Sequence, residues 1–204
     1  VDQDDIFRIV LGVGFLVFFP IAVSYRIRSQ STREPLDRWQ EGRVILFTLR
    51  PIGLAGMAGL IAYLINPTSM AWSSIPAPPW LRWTGVVIGV IGGSLVVWTF
   101  HSLGRNLTDT VVTRRNHTLV THGPYRWVRH PFYDAVALSL AGNALAAANW
   151  FLALTGVLTL ALLVARTRIE EEKLIARFGD RYRVYMNATG RFFPKLVRPR
   201  SERV

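Results

Sequence analysis

The stretch HTLVTHGPYRWVRHPFY, residues 117–133, decides how this chain folds, because it crowds histidines, arginines, tyrosines and prolines between two strongly apolar segments, 84–100 and 132–165. A lipid-facing span does not tolerate that composition. The apolar segments therefore cross or enter a membrane, and the polar stretch lies at its surface. A second polar cluster, RTRIEEE (166–172), follows the later apolar block and runs into FGxxYxxY (Phe178, Gly179, Tyr182, Tyr185). The two clusters read as one site assembled at the membrane face.

Working outward, half of the residues are hydrophobic, yet the formal net charge is +11, so apolar and basic residues are segregated along the chain. That is the profile of a polytopic membrane protein. Apolar windows at 6–25 and 44–65 approach the ~20 residues a bilayer crossing needs, and 84–100 does so once 81–83 are added. The block 132–165 is broken at Asn149-Trp150 into arms of roughly 16 residues, suited to a tilted hairpin. The expected fold is all-α: about five transmembrane helices, the last two a short helical hairpin, and a cytoplasmic C-terminal helix. No internal repeat or long linker divides the chain, so a single membrane domain over 1–204 is expected.

Several function classes drop out. The first window is led by Asp2, Asp4 and Asp5 and lacks a small-residue cleavage pattern, so it reads as a retained helix. The chain has no cysteine, which excludes disulfides and thiol catalysis, and its four histidines lack HxxxH or HxH spacing, so no metal site is expected. Of the 24 Lys and Arg residues, 21 fall in 26–43, 101–134 or after 165; by the positive-inside rule these regions are cytoplasmic. The opposite loop, 66–80, is uncharged and rich in Pro and Trp, and the N-terminus faces outward. The basic excess lies beside membrane helices and carries no nucleic-acid motif, so no nucleic-acid partner is expected; membrane lipids are.

Within the helices, Gly53, Gly56 and Gly59 form one small-residue face and Gly85, Gly89, Gly92 and Gly93 another, both read as packing surfaces. Arg50, beside Pro51, either snorkels to the surface or meets a polar partner. The chain after Ala165 reads as a helix continuing out of the membrane, on which Leu174, Phe178, Tyr182 and Tyr185 recur at helical spacing as an apolar stripe that packs back onto the interfacial stretch, until Gly190 and Pro194 end the pattern.

With these motifs in view, the C-terminal half resembles the integral-membrane methyltransferases of the isoprenylcysteine carboxyl methyltransferase family. LGRN (103–106), LVTHGPY (119–125), RHPFY (129–133), the pair Glu170-Glu171 and FGxxYxxY stand in the family's order. The resemblance implies S-adenosylmethionine (SAM) as cofactor, with contacts at His117, Thr118, Leu119, Val120, Tyr125, His130, Pro131, Phe132, Tyr133 and Glu170. It implies Arg166 as the substrate arginine and catalytic residue, with Arg129 as a second substrate-binding candidate. The partner it implies is a lipophilic small molecule or prenylated substrate drawn from the bilayer. The implied division is three N-terminal helices over 1–100, a methyltransferase core over 101–194 and a basic tail over 195–204. One departure is visible: relatives commonly carry glycine two residues after the motif tyrosine, where this chain has Ala135, preceded by Asp134.

The residues themselves agree with methyl transfer. The two motif segments offer hydrogen-bonding groups and an aromatic surface for a nucleoside, and Glu170 is a ready acceptor for ribose hydroxyls or an amine. In-line transfer relies on alignment, worth about 7 to 11 kcal/mol in well-oriented systems. An acceptor carboxylate is already ionised near neutral pH, so no general base is needed, and Arg166 suits it as a bidentate partner. Arg126 and Arg168 read as headgroup anchors, Glu172 as solvated, and Tyr182 and Tyr185 as packing residues. A lipophilic thiol, amine or acid is an alternative acceptor. An NADPH-dependent sterol-type reductase and a non-catalytic membrane subunit are alternative functions.

Overall fold

The computed structural model describes residues 3–30, 43–104 and 118–195. Among them are six α-helices and no strand: α1 (Gln3–Gln30), α2 (Arg43–Ile65), α3 (Pro79–Leu103), α4 (Pro131–Ala147), α5 (Trp150–Phe178) and α6 (Asp180–Ala188). Four of them, α1, α2, α3 and α5, are long and apolar enough to cross a membrane. Their outward faces carry exposed Leu16, Leu54, Val87 and Val157, as lipid contact requires.

The expectation of about five spans with a short terminal hairpin is adjusted at α4 and α5. With 17 residues α4 reaches only ~25 Å, short of the ~30 Å hydrocarbon core, whereas α5 has 29 residues and reaches ~43 Å. The arms are therefore unequal. Helix α5 does not stop at the lipid boundary, because Arg, Glu and Lys after Ala165 are themselves good helix formers. The single C-terminal helix expected from the apolar stripe is in fact divided: Gly179, at φ 57°, ends α5, and the chain turns into α6.

The turn between α4 and α5 is built by Ala148 in the left-handed region and by Asn149, whose side chain caps α5 by accepting from the Leu152 amide at 3.1 Å. Buried Asn149 also donates to Ser73 Oγ at 2.8 Å, and the Ile75 amide donates to the Ala148 carbonyl at 2.8 Å. The Pro/Trp-rich loop after α2 is thereby tied to this end of the bundle, where Trp72 meets Trp150 edge to face. The other end of α4, at Pro131, opens the polar stretch.

Helices α3 and α4 meet backbone to backbone. A Cβ placed on Gly142 would strike the Gly89 backbone, and one on Gly92 would sit 2.5 Å from the Ser139 amide nitrogen. Gly56 and Gly59 accept Thr155 and Phe151 of α5 in the same way, but Gly53 faces nothing within 4 Å. Arg82, near the start of α3, pins four helices at the loop end: it donates to Asp4 of α1 (2.6 Å), the Tyr63 hydroxyl of α2 (3.0 Å) and the Ala146 carbonyl of α4 (2.9 Å), and lies over the Phe7 ring. Its side chain is buried, so these partners compensate a charge that water does not reach.

Candidate functional site

The polar stretch enters the site through a tight turn. Gly123 has φ 60°, Pro124 opens a 3-10 turn over Gly123–Arg126, and Val128 pairs in parallel with Gly190. The Tyr185 hydroxyl donates to the Tyr125 carbonyl at 2.7 Å, so α6 clamps the turn from outside. His130 then precedes α4 with its side chain unused for capping, and Pro131 takes the first helical position, where a missing N–H costs nothing. The imidazole turns instead toward α5.

On α5, Arg166, Thr167, Glu170 and Glu171 stand one turn apart on the face that meets α4. Glu170 accepts from the Tyr133 hydroxyl at 2.7 Å and from Arg166 Nε at 3.1 Å. Glu171 accepts from Arg129 Nε at 2.8 Å and from Arg191 through two guanidinium nitrogens. His130 bridges the two carboxylates, with Nδ1 3.5 Å from Glu170 and Nε2 3.4 Å from Glu171. Its ring lies parallel to that of Tyr133, centroids 5.4 Å apart.

The two neighbouring carboxylates thus differ. The Glu171 side chain is 5% exposed and is enclosed by Arg129, His130 and Arg191; the Glu170 side chain keeps 18% exposure. Burial, then the neighbouring Tyr185 and Glu170, push the Tyr125 phenol far above its usual range, and burial raises Tyr182 and Tyr185 as well. All three phenols are neutral hydrogen-bonding groups at physiological pH.

Of the residues singled out from sequence, Arg129, His130, Tyr133, Arg166 and Glu170 converge in this one cluster, with Tyr125 beside it. Leading into it, Thr118 is exposed, Leu119 half-buried and Val120 buried. Pro131 is buried as the first residue of α4, and Phe132 stacks on Phe100 of α3 at 5.3 Å while its ring also lies 5.9 Å from that of Tyr133. His117 lies outside the described residues, as do Arg105 and Asn106 of the LGRN motif. Ala135 is fully buried at the α3–α4 contact, and Asp134 beside it is half-buried.

Other polar residues are placed as follows. Arg126 is exposed and lies over the Trp127 ring, Arg168 and Glu172 are exposed, and Arg50 is exposed on α2. His101 meets the Tyr25 hydroxyl at 3.3 Å, and His122 is exposed. Sequence reasoning passed over Glu171 as the hub and missed Arg191 and Phe192 altogether. The one sequence signal near them is Gly190, where the helical pattern ends.

Residues 85–176 match the model of the isoprenylcysteine carboxyl methyltransferase (ICMT) family. The cobalt-zinc-cadmium resistance protein CzcN of Cupriavidus metallidurans is 35% identical over 132 residues, 59% of this chain and 57% of that protein. The protein-S-isoprenylcysteine O-methyltransferase of Mus musculus is 32% identical over 135 residues, 65% of this chain and 47% of that enzyme. The chain thus spans about half the length of the curated relatives it matches. A solved structure of the eukaryotic intramembrane Ras methyltransferase ICMT aligns with TM-score 0.49 at 22% identity, over 78% of this chain and 54% of that one.

Proposed function

We propose, from the premise that residues 85–176 are a segment of the ICMT family, that this integral membrane protein is a SAM-dependent methyltransferase. It acts at the cytoplasmic membrane face on a lipophilic acceptor taken from the bilayer, by carboxyl O-methylation of an isoprenylcysteine-like molecule. The observation that carries this reading is the convergence of the start of α4 with the polar end of α5, where one carboxylate is enclosed by cations and its neighbour keeps access. The proposed catalytic core is 101–194, with the helices of 1–100 supporting it and 195–204 as a basic tail.

The donor set fits SAM. Glu170 offers a carboxylate for hydroxyl or ammonium groups, and His130 and Tyr133 present parallel rings beside it. SAM supplies, when bound, an electrophilic methyl whose transfer to an acceptor carboxylate cancels a positive sulfonium against a negative oxygen. The chain's task is orientation and exclusion of water. Arg166, buried and with its guanidinium plane fixed by the Nε bond to Glu170, orients the acceptor carboxylate. Buried Glu171 and His130, with half-buried Arg129, close the floor of the site to water. Localisation at the cytoplasmic face rests on the basic residues gathered at this end of the bundle.

Titration calorimetry of the purified chain with SAM tests the reading, with S-adenosylhomocysteine as competitor and NADPH in parallel. SAM binding displaced by S-adenosylhomocysteine supports it, as does methyl incorporation into S-farnesylated N-acetylcysteine. Heat from NADPH alone would overturn it.

A further inference from the structure

We propose that Arg191 is a positioning residue: through Glu171 it holds His130 and the segment 189–192 as a fixed wall of the cofactor site. The inference rests on the SAM reading above, to which it adds a residue from beyond the family-matched segment. Arg191 is the outermost of Glu171's three partners, its side chain 39% exposed against 9% for Arg129 and 7% for His130. Its guanidinium ties Glu171 directly to the segment that leaves α6, alongside the contacts Arg129 and His130 make to that segment.

That segment is docked on the site motif by its backbone. The Arg129 amide donates to the Gly190 carbonyl at 2.9 Å and the His130 amide to the Arg191 carbonyl at 3.1 Å. The Phe192 ring lies 5.9 Å from the His130 ring, so the imidazole has aromatic neighbours from both α4 and this segment. Arg129 Nη1 caps the preceding helix by donating to the Met186 and Thr189 carbonyls, and Lys195 Nζ donates to Met186 and Asn187. The backbone pair, the Phe192 ring and the Glu171 contact all bear on the residues that orient His130. Loss of Arg191 releases the outer side of Glu171 while Arg129 remains paired with it, so the hub is loosened without leaving a buried carboxylate unpaired.

The test compares the full chain with Arg191→Ala and Arg191→Lys in lipid nanodiscs, reading SAM affinity by calorimetry and amide hydrogen exchange of Arg129 and His130. Arg191→Ala is expected to weaken SAM binding about tenfold and to speed exchange at both amides, with Arg191→Lys, which keeps the charge but not the two-point contact, restoring part of each. Equal SAM affinity in the three chains, or unchanged exchange, would overturn the proposal. A parent chain that binds no SAM, with the exchange difference intact, refutes the methyl-donor reading instead and supports the latch.

Discussion

The Tyr133 hydroxyl and Glu170, 37 residues apart in sequence, are joined by a hydrogen bond of 2.7 Å. That bond closes the gap between α4 and α5 and orients the one carboxylate of the pair that retains access. Tyr133→Phe removes the donor and leaves the ring stacked on His130. It is expected to weaken SAM binding about threefold to tenfold, since one hydrogen bond to a charged acceptor is lost. Calorimetry measures this, and unchanged affinity would show that Arg166 and His130 orient Glu170 without the tyrosine.

Glu170→Ala and His130→Ala are expected to cost SAM affinity more heavily, about tenfold or beyond, because each removes a group proposed to touch the cofactor. Arg166→Ala is expected to keep SAM affinity within about threefold while lowering turnover at least about tenfold. Parallel binding and methyl-incorporation assays separate the two patterns. Equal loss of SAM binding in all three variants, with the fold intact, would contradict this division of roles.

The Arg82 clamp predicts a stability effect far from the chemistry. Arg82→Met strips donors from Asp4, Tyr63 and the Ala146 carbonyl, and is expected to destabilise the bundle by about 2 to 3 kcal/mol. Asp4 is half-exposed and recovers water, which keeps the figure below that for a fully buried pair. Thermal unfolding in detergent reads the loss, and SAM affinity below the melting range should not move.

A glycine in the α3–α4 seam and one on an open face of α2 make an opposed pair of predictions. Gly142→Val is expected to cost about 3 kcal/mol or more, because the new side chain has only the Gly89 and Gly85 backbone to displace. Gly53→Ala, which meets open space, is expected to stay within about 0.5 kcal/mol of the parent. Monodispersity and melting temperature of the two variants distinguish them.

Much of this arrangement was legible in the sequence because lipid leaves few choices: long apolar windows become helices, and basic residues mark one face. The RHPFY and Glu170-Glu171 motifs were legible as parts of one site, and Arg129, His130, Tyr133 and Glu170 do converge. The continuation of the last long helix past Ala165 was legible too, and its hydrogen-bonded ladder runs through the charged stretch to Phe178. The break at Gly179 was hidden by an apolar stripe that happens to keep helical spacing across it. A helix start turns each successive side chain by about 100°, so which neighbours Phe132 meets, here Phe100 and Tyr133, is not readable from its motif. Arg191 carried no periodic signal, because its role depends on a backbone pairing between segments some sixty residues apart.

The uninterrupted run of α5 from the Asn149 cap to Glu171 makes the helix a measuring rod between the two membrane faces. Asn149 is anchored to Ser73 at one end, so the number of residues on the rod sets both the height and the heading of Glu170 at the other. One residue added anywhere along it would raise the carboxylate by about 1.5 Å and swing it about 100° away from His130. The spacing between cap and carboxylate is therefore itself part of the site, although no residue within it need touch a ligand.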